Sequence, residues 1–351
     1  MYLKHRVQNF WKYFMLHKEE IEGALRNQDH HEVQHYVKDL NEQLKTISAC
    51  GVEIDMSETG FFEMTFTPSG NKNAQFASAL LKKDADASLS EDWIINAVRP
   101  PLSDRAMNTV LRIKDKQVTG ANFMVYYTIN QTSKTLDTKV YCEELKELDD
   151  ARKENLVAYM LELFIGELEF EARISSVEIL DAPDEEAENY CLLPNLYEDL
   201  CDIIVDEDWV EYHDPLSIYM AYKLDEKPVN ETLRKDMKLI VTTNPQLQEE
   251  VLTDCYDMCK EFNDCGGCYG YLYYEKLYED EKEALVRQQL EKEVNDLLYD
   301  MSIARTMGGA VGVYYSYIDV AVFDLDGFNI ALEKINEKMN FKIYFQSFLK
   351  A

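Results

Sequence analysis

The chain has 351 residues, 46% hydrophobic and 29% charged, with 36 basic against 66 acidic residues and a net charge of −30. That balance excludes wholesale disorder, and so acidic a field repels nucleic acid and anionic lipid, so neither is expected as a partner. No window reaches the ~18 uninterrupted apolar residues of a membrane span, and Met1 to Arg6 lack a signal peptide's apolar core, so a cytoplasmic location is expected.

At this length two domains are expected rather than one core. Val7, Phe10, Trp11, Phe14, Ile21 and Leu25 recur at three- and four-residue spacing and predict an opening helix. Asp29 is placed to cap a second, with Val33, Val37, Leu40, Leu44 and Ile47 on its apolar stripe. The period then changes to two. Val52, Ile54 and Met56, a turn at 57–60, and Phe62, Met64 and Phe66 predict a β-hairpin. A helix over 71–82 and a strand over 93–98 follow, the strand stopped by Pro100-Pro101.

This order of hairpin, helix and strand recurs. Residues 122–130 and 137–141 form a second hairpin, 151–165 a helix and 174–180 a strand. Residues 217–223 and 237–242 make a third pair, followed by a helix over 245–262 and a strand over 269–274. After a long helix over 279–301, residues 310–315 and 318–323 pair, 328–339 is helical and 341–348 is a strand. The expected fold class is α+β: antiparallel sheets with helices on one face, built of repeated ββαβ, ferredoxin-like units in two halves. The repetition is one of element order, without a residue-level repeat. The joint is expected near 183–195, where an acidic run lies between Pro183 and Pro194, giving a domain over 1–183 and another over 195–351. A helix over 196–205, capped by Asn195, opens the second.

Several motifs carry a resemblance. The Phe10-Trp11 helix, the 52–66 hairpin, Gly70-Asn71-Lys72 and Trp93 with Arg99-Pro100-Pro101 resemble the bacterial domain-of-unknown-function family 695, over about the first 180 residues. The block from Gly308 to Asp319 is similar in style to a family motif. In element order only, the second half resembles the ferredoxin-like protein inhibitor that regulates ribonuclease E. The family brings no established catalytic residues, so the resemblance implies none here.

Cys255, Cys259, Cys265 and Cys268 could ligate zinc by number and spacing. Cys255 and Cys259, four apart, fall instead on the expected core side of their helix, and Gly266-Gly267 suits a helix C-cap. With Cys50, Cys142, Cys191 and Cys201 they read as reduced, packed thiols. Gly308-Gly309-x-x-Gly312 precedes a strand rather than the helix a phosphate loop needs, so a β-bulge is expected. His30, His31 and His35 lie on a polar helix face. Nucleophile motifs, a Walker loop and metalloprotease motifs are missing from the sequence. No metal and no cofactor is expected.

Between Arg173 and Lys223 the chain carries fourteen carboxylates and no Lys or Arg, where its basic content would place about five. Leu196, Leu200, Ile203 and Ile204 would anchor a helix whose other side presents Glu198, Asp199, Asp202 and Asp206, followed by Glu207 and Asp208. A solvated acidic linker would share this composition. That linker is the plainer reading; against it, the apolar anchors point to a fixed anionic ridge recognising a basic protein partner, and the function expected is a non-catalytic binding or regulatory protein of the inhibitor or immunity type. A self-associating structural protein using its tyrosine-rich strands, and an enzyme with a site assembled from scattered residues, are the alternatives.

Overall fold

The computed structural model describes residues 1–57, 59–101, 110–113, 115–224 and 232–349. The chain forms two units: Met1–Asp55, Phe62–Ala97 and Leu216–Ala351 make the first, and Met56–Phe61 with Val98–Pro215 the second. No described helix is long and apolar enough to cross a membrane.

Helices α1 (Leu3–Arg26) and α2 (His30–Leu44) open the first unit, and the Asp29 carboxylate caps α2 by accepting from the Glu32 amide at 3.1 Å. Strands β1 (Gly51–Met56) and β2 (Phe62–Thr67) are neighbours, with residue 58 of their turn outside the described residues. Helix α3 (Lys72–Lys83), capped by Asn71, then returns the chain to β3 (Trp93–Asn96). Phe10, Trp11, Phe14, Phe66 and Trp93 pack edge-on and tilted across this layer.

The second unit contains a short pair, β4 (Leu111–Ile113) and β5 (Lys116–Val118), and a four-stranded sheet. The sheet holds β6 (Met124–Asn130), β7 (Thr135–Tyr141), β8 (Ile174–Leu180) and β9 (Tyr190–Leu192), in the order β8-β7-β6-β9. Helices α4 (Asp150–Ile165), α5 (Glu167–Arg173) and α6 (Leu196–Asp206) accompany it. Their apolar sides meet the strands in one core that includes Phe123, Val125, Val140, Phe164, Leu196 and Leu200.

The chain then re-enters the first unit. Strands β10 (Met220–Lys223), β11 (Met237–Thr242), β12 (Cys268–Glu275), β13 (Ala304–Gly312), β14 (Tyr315–Val322) and β15 (Tyr344–Ser347) form one sheet ordered β10-β11-β13-β14-β12-β15, antiparallel throughout. Helices α7 (Pro245–Leu252), α8 (Asp257–Asp264), α9 (Asp280–Asp300) and α10 (Leu325–Lys338) lie among them. Leu290, Val294 and Leu298 of α9 and Phe328, Ala331 and Ile335 of α10 share a core with Leu272, Ile318 and Val320 on one sheet face.

An α+β chain with several antiparallel sheets is what periodicity led one to expect, but three features differ. First, β3 runs parallel to β2, and β8 parallel to β7. A strand reached through a helical crossover comes back in the direction of the strand it left, so the first two hairpin–helix–strand elements each gain one parallel pair, whereas β12 and β15 insert beside strands of opposite direction and stay antiparallel. Second, residues 183–195 are internal to the second unit rather than a joint. Tyr190–Leu192 is an edge strand on β6, with Val125 opposite Cys191, and its proline-flanked acidic approach read as a linker only because edge strands tolerate charge. Third, the division is discontinuous. The Leu3 amide donates to the Gly266 carbonyl at 2.9 Å, the Tyr269 hydroxyl donates to Asn73 Oδ1 at 2.7 Å, and Phe76 packs on Phe262 and Tyr269. The opening helices thus belong with residues 216–351.

Candidate functional site

Helix α6 stands where the apolar spacing expects it. Leu196, Leu200 and Ile204 are buried, and Tyr197 and Ile203 pack against the same core. Asn195 occupies the N-cap position without a side-chain hydrogen bond; its backbone is already helical, and a cap needs an extended one to aim its side chain at the first amides.

Five of the six expected ridge residues, Glu198, Asp202, Asp206, Glu207 and Asp208, are exposed, and among the described residues none of them forms an ion pair. Asp199 differs. It is half-buried and accepts from the Tyr127 hydroxyl at 3.2 Å. Burial, with the Asp199 charge beside it, raises the Tyr127 phenol to about 12, and burial raises the Cys191 thiol to about 12. Asp199 therefore ties α6 to β6 and is a support of the ridge rather than part of its face.

The ridge is held at its far end by the last cation before the acidic stretch. Arg173 is 1% exposed. Its guanidinium lies over the rings of Trp209 and Tyr212, at 5.3 and 4.9 Å from their centroids. It donates to the Lys134 carbonyl at 3.3 Å and to the Val210 carbonyl, and pairs with Glu169 at 3.4 Å. Burial raises the Glu169 carboxyl above its ordinary value, against the pull of Arg173. The consequence lies outside: Val205 is 73% exposed and Val210 59% exposed, two aliphatic side chains set among Asp202, Asp206, Glu207, Asp208 and Glu211. The carboxylates stand out by composition and these valines do not: Val205 lies off the 196-200-203-204 stripe, and a single exposed valine carries no signal in a sequence.

The other cysteine, histidine and tyrosine candidates divide between core and surface. The helix expected over 245–262 is two, because Asp254 at φ +56 breaks it. Cys255 therefore sits half-exposed in the break, where a buried position was expected, while Cys259 is buried and its thiol is raised to about 12 by that burial. Cys265 ends α8, and the Gly266 and Gly267 amides return to the Asn263 and Phe262 carbonyls as a C-cap. Among the described residues no three His, Cys, Asp or Glu side chains are grouped as metal ligands. His30, His31 and His35 are exposed. Tyr269 and Tyr271 are core residues, whereas Tyr273 is half-buried and stacks with the exposed Tyr344 at 5.3 Å.

The glycine pair does form a bulge. The β13–β14 register shifts between Thr306 and Gly309, and Gly308 adopts φ +104, where an added Cβ would lie 2.0 Å from the Val241 carbonyl oxygen. The bulge releases amides from the ladder, and α9 takes them. Gly308 N donates to Glu291 Oε1 at 2.8 Å and Thr306 N to Asn295 Oδ1 at 3.0 Å. Glu291 is itself buried and accepts from Arg287 at 2.8 Å. Alongside these groups a cleft of about 1510 Å³ opens between α9 and the sheet formed by β10, β11 and β13. Nothing in the sequence pointed to it, since its lining residues lie on strands and a helix distant along the chain.

Comparison with protein families, curated proteins and solved structures gives no match.

Proposed function

We propose that this is a non-catalytic binding or regulatory protein that masks a basic surface of a protein partner, with α6 and its C-terminal flank as the docking element. The observation that carries the reading is the exposed pair Val205, on α6, and Val210, just beyond it, among carboxylates that form no ion pair among the described residues, with the other side of α6 locked into a core. Apolar contacts ringed by charge suit recognition: the charges steer a cationic partner and the aliphatic centre is desolvated on contact. A solvated linker needs neither a buried Arg173 clamp nor a packed helix. The order β15-β12-β14-β13, with α9 and α10 on one face, supports a ferredoxin-like reading of the C-terminal sheet. The likeness to family 695 rests on the motifs quoted above and brings no activity with it.

The test is affinity capture from the source cells with the wild-type chain and with the triple variant Glu198→Lys, Asp202→Lys and Asp206→Lys, each exposed and remote from the core. A basic protein recovered by the wild type and lost from the variant is expected. Its association rate should fall several-fold on charge reversal, and the gap should narrow as salt shortens the screening length below about 10 Å. Identical captures by both proteins would count against the ridge.

A further inference from the structure

The six-stranded sheet of the first unit is wider than the cover that α9 and α10 give it. Helices α9 and α10 pack on β13, β14, β12 and β15, two helices for four strands. Strands β10 and β11 extend the same sheet by two. Neighbouring strands lie about 4.8 Å apart and packed helices about 8–10 Å apart, so two uncovered strands leave room for one more helix. The 1510 Å³ cleft occupies that place. It exceeds the roughly 300–1,000 Å³ of most small-molecule pockets.

The walls match such an occupant. Leu239 and Val241 of β11 line the cleft half-buried, while Ile240 between them is fully buried on the other face. On α9, Leu285 borders it at 68% exposure. Charge sets the partner's sign. Four cations line the cleft against three carboxylates, in a chain where carboxylates outnumber cations 66 to 36. Two of those carboxylates are engaged: Asp280 by Lys238 at 3.2 Å and Glu291 by Arg287 at 2.8 Å. Lys223 and Lys292, exposed on opposite walls, form no ion pair among the described residues.

We infer that this cleft is a docking groove for an acidic amphipathic helix of a protein partner, its apolar stripe on Leu239, Val241 and Leu285 and its flanking carboxylates on Lys223 and Lys292. This face is independent of the α6 ridge and takes a partner of the opposite charge.

Fluorescence anisotropy of the full chain tests it with three labelled probes of about 14 residues, roughly four helical turns. One carries Leu at i, i+3, i+4 and i+7 with Glu on the flanks, the second has Lys in place of every Glu, and the third scrambles the first. Saturable binding of the Glu probe alone is expected. Leu285→Glu and the pair Lys223→Glu with Lys292→Glu should each weaken it about tenfold, and Leu285→Met should restore it. All three sites are exposed, and a circular-dichroism melt of each variant confirms folding. A photo-crosslinker in the probe should label α9 and β10 or β11. Absent saturation up to about 1 mM, equal binding of the Lys probe, unaltered binding by the variants, or crosslinks elsewhere would each overturn the inference. So would a Leu285-dependent dimer in sedimentation velocity, which would assign the groove to a second copy.

Discussion

Replacing Arg173 by Leu should unfold the second unit's acidic end more than any exposed substitution. The wild-type guanidinium is buried, stacked on Trp209 and Tyr212, and holds the Lys134 and Val210 carbonyls while pairing with Glu169. Leucine fills part of the volume but leaves two carbonyls without that donor and a largely buried carboxylate without its cation. Breaking a buried pair from one side costs about 3–5 kcal/mol, because the remaining charge is uncompensated. For a unit of this size that corresponds to a fall of very roughly 10–20 °C in melting temperature.

The pH dependence separates this cause from simple loss of packing. Burial raises the Glu169 carboxyl, so the folded state holds its proton more tightly than the unfolded state. The stability gained is complete below the unfolded pKa and disappears as pH rises through the folded one. Without Arg173 to oppose burial, the folded pKa rises further and the loss extends to higher pH. Calorimetric scans from pH 4 to pH 8 should show Arg173→Leu closest to wild type at the acid end and furthest from it at pH 8. The additional change Glu169→Gln should remove the pH-dependent part. A melting temperature within about 1 °C of wild type at pH 8, or a deficit independent of pH, would refute the reasoning.

Gly308→Ala should destabilise the first unit by about 2–4 kcal/mol, since a Cβ at φ +104 meets the Val241 carbonyl, combining backbone strain with a backbone clash; guanidinium denaturation measures it, and a loss below about 1 kcal/mol would contradict the bulge. Asp236→Ala removes the acceptor of the Tyr317 hydroxyl and of the Tyr314 and Tyr315 amides, and should cost about 3 kcal/mol or more in the same assay. Burial raises the Cys142, Cys191 and Cys259 thiols to about 12, so at pH 8 the native chain should leave these three unmodified by a thiol-specific disulfide reagent, with reaction after unfolding. Mass mapping of the modified residues decides that.

Local order was legible where one residue's neighbours along the chain decide its environment. The stripe from Val7 to Leu25, the Asp29 cap, the alternation in 52–56 and 62–66, and the Gly308-Gly309 bulge all follow from period and backbone sterics. So did the apolar anchoring of α6, because Leu196, Leu200 and Ile204 need only a surface to pack on. Pairing partners and unit membership obey no such local rule. Whether 190–192 is linker or edge strand depends on β6, some 65 residues earlier; whether α1 belongs with 98–215 or with 216–351 depends on contacts such as Leu3 to Gly266. The same holds for function. Composition marks an anionic segment, but only the packed structure shows that Asp199 is withdrawn from its exposed face by Tyr127 and that Val205 and Val210 stand exposed beside it. The cleft beside α9 arises from strands β10 and β11 lying outside the cover of two helices, a mismatch of widths that exists only once the sheet is assembled.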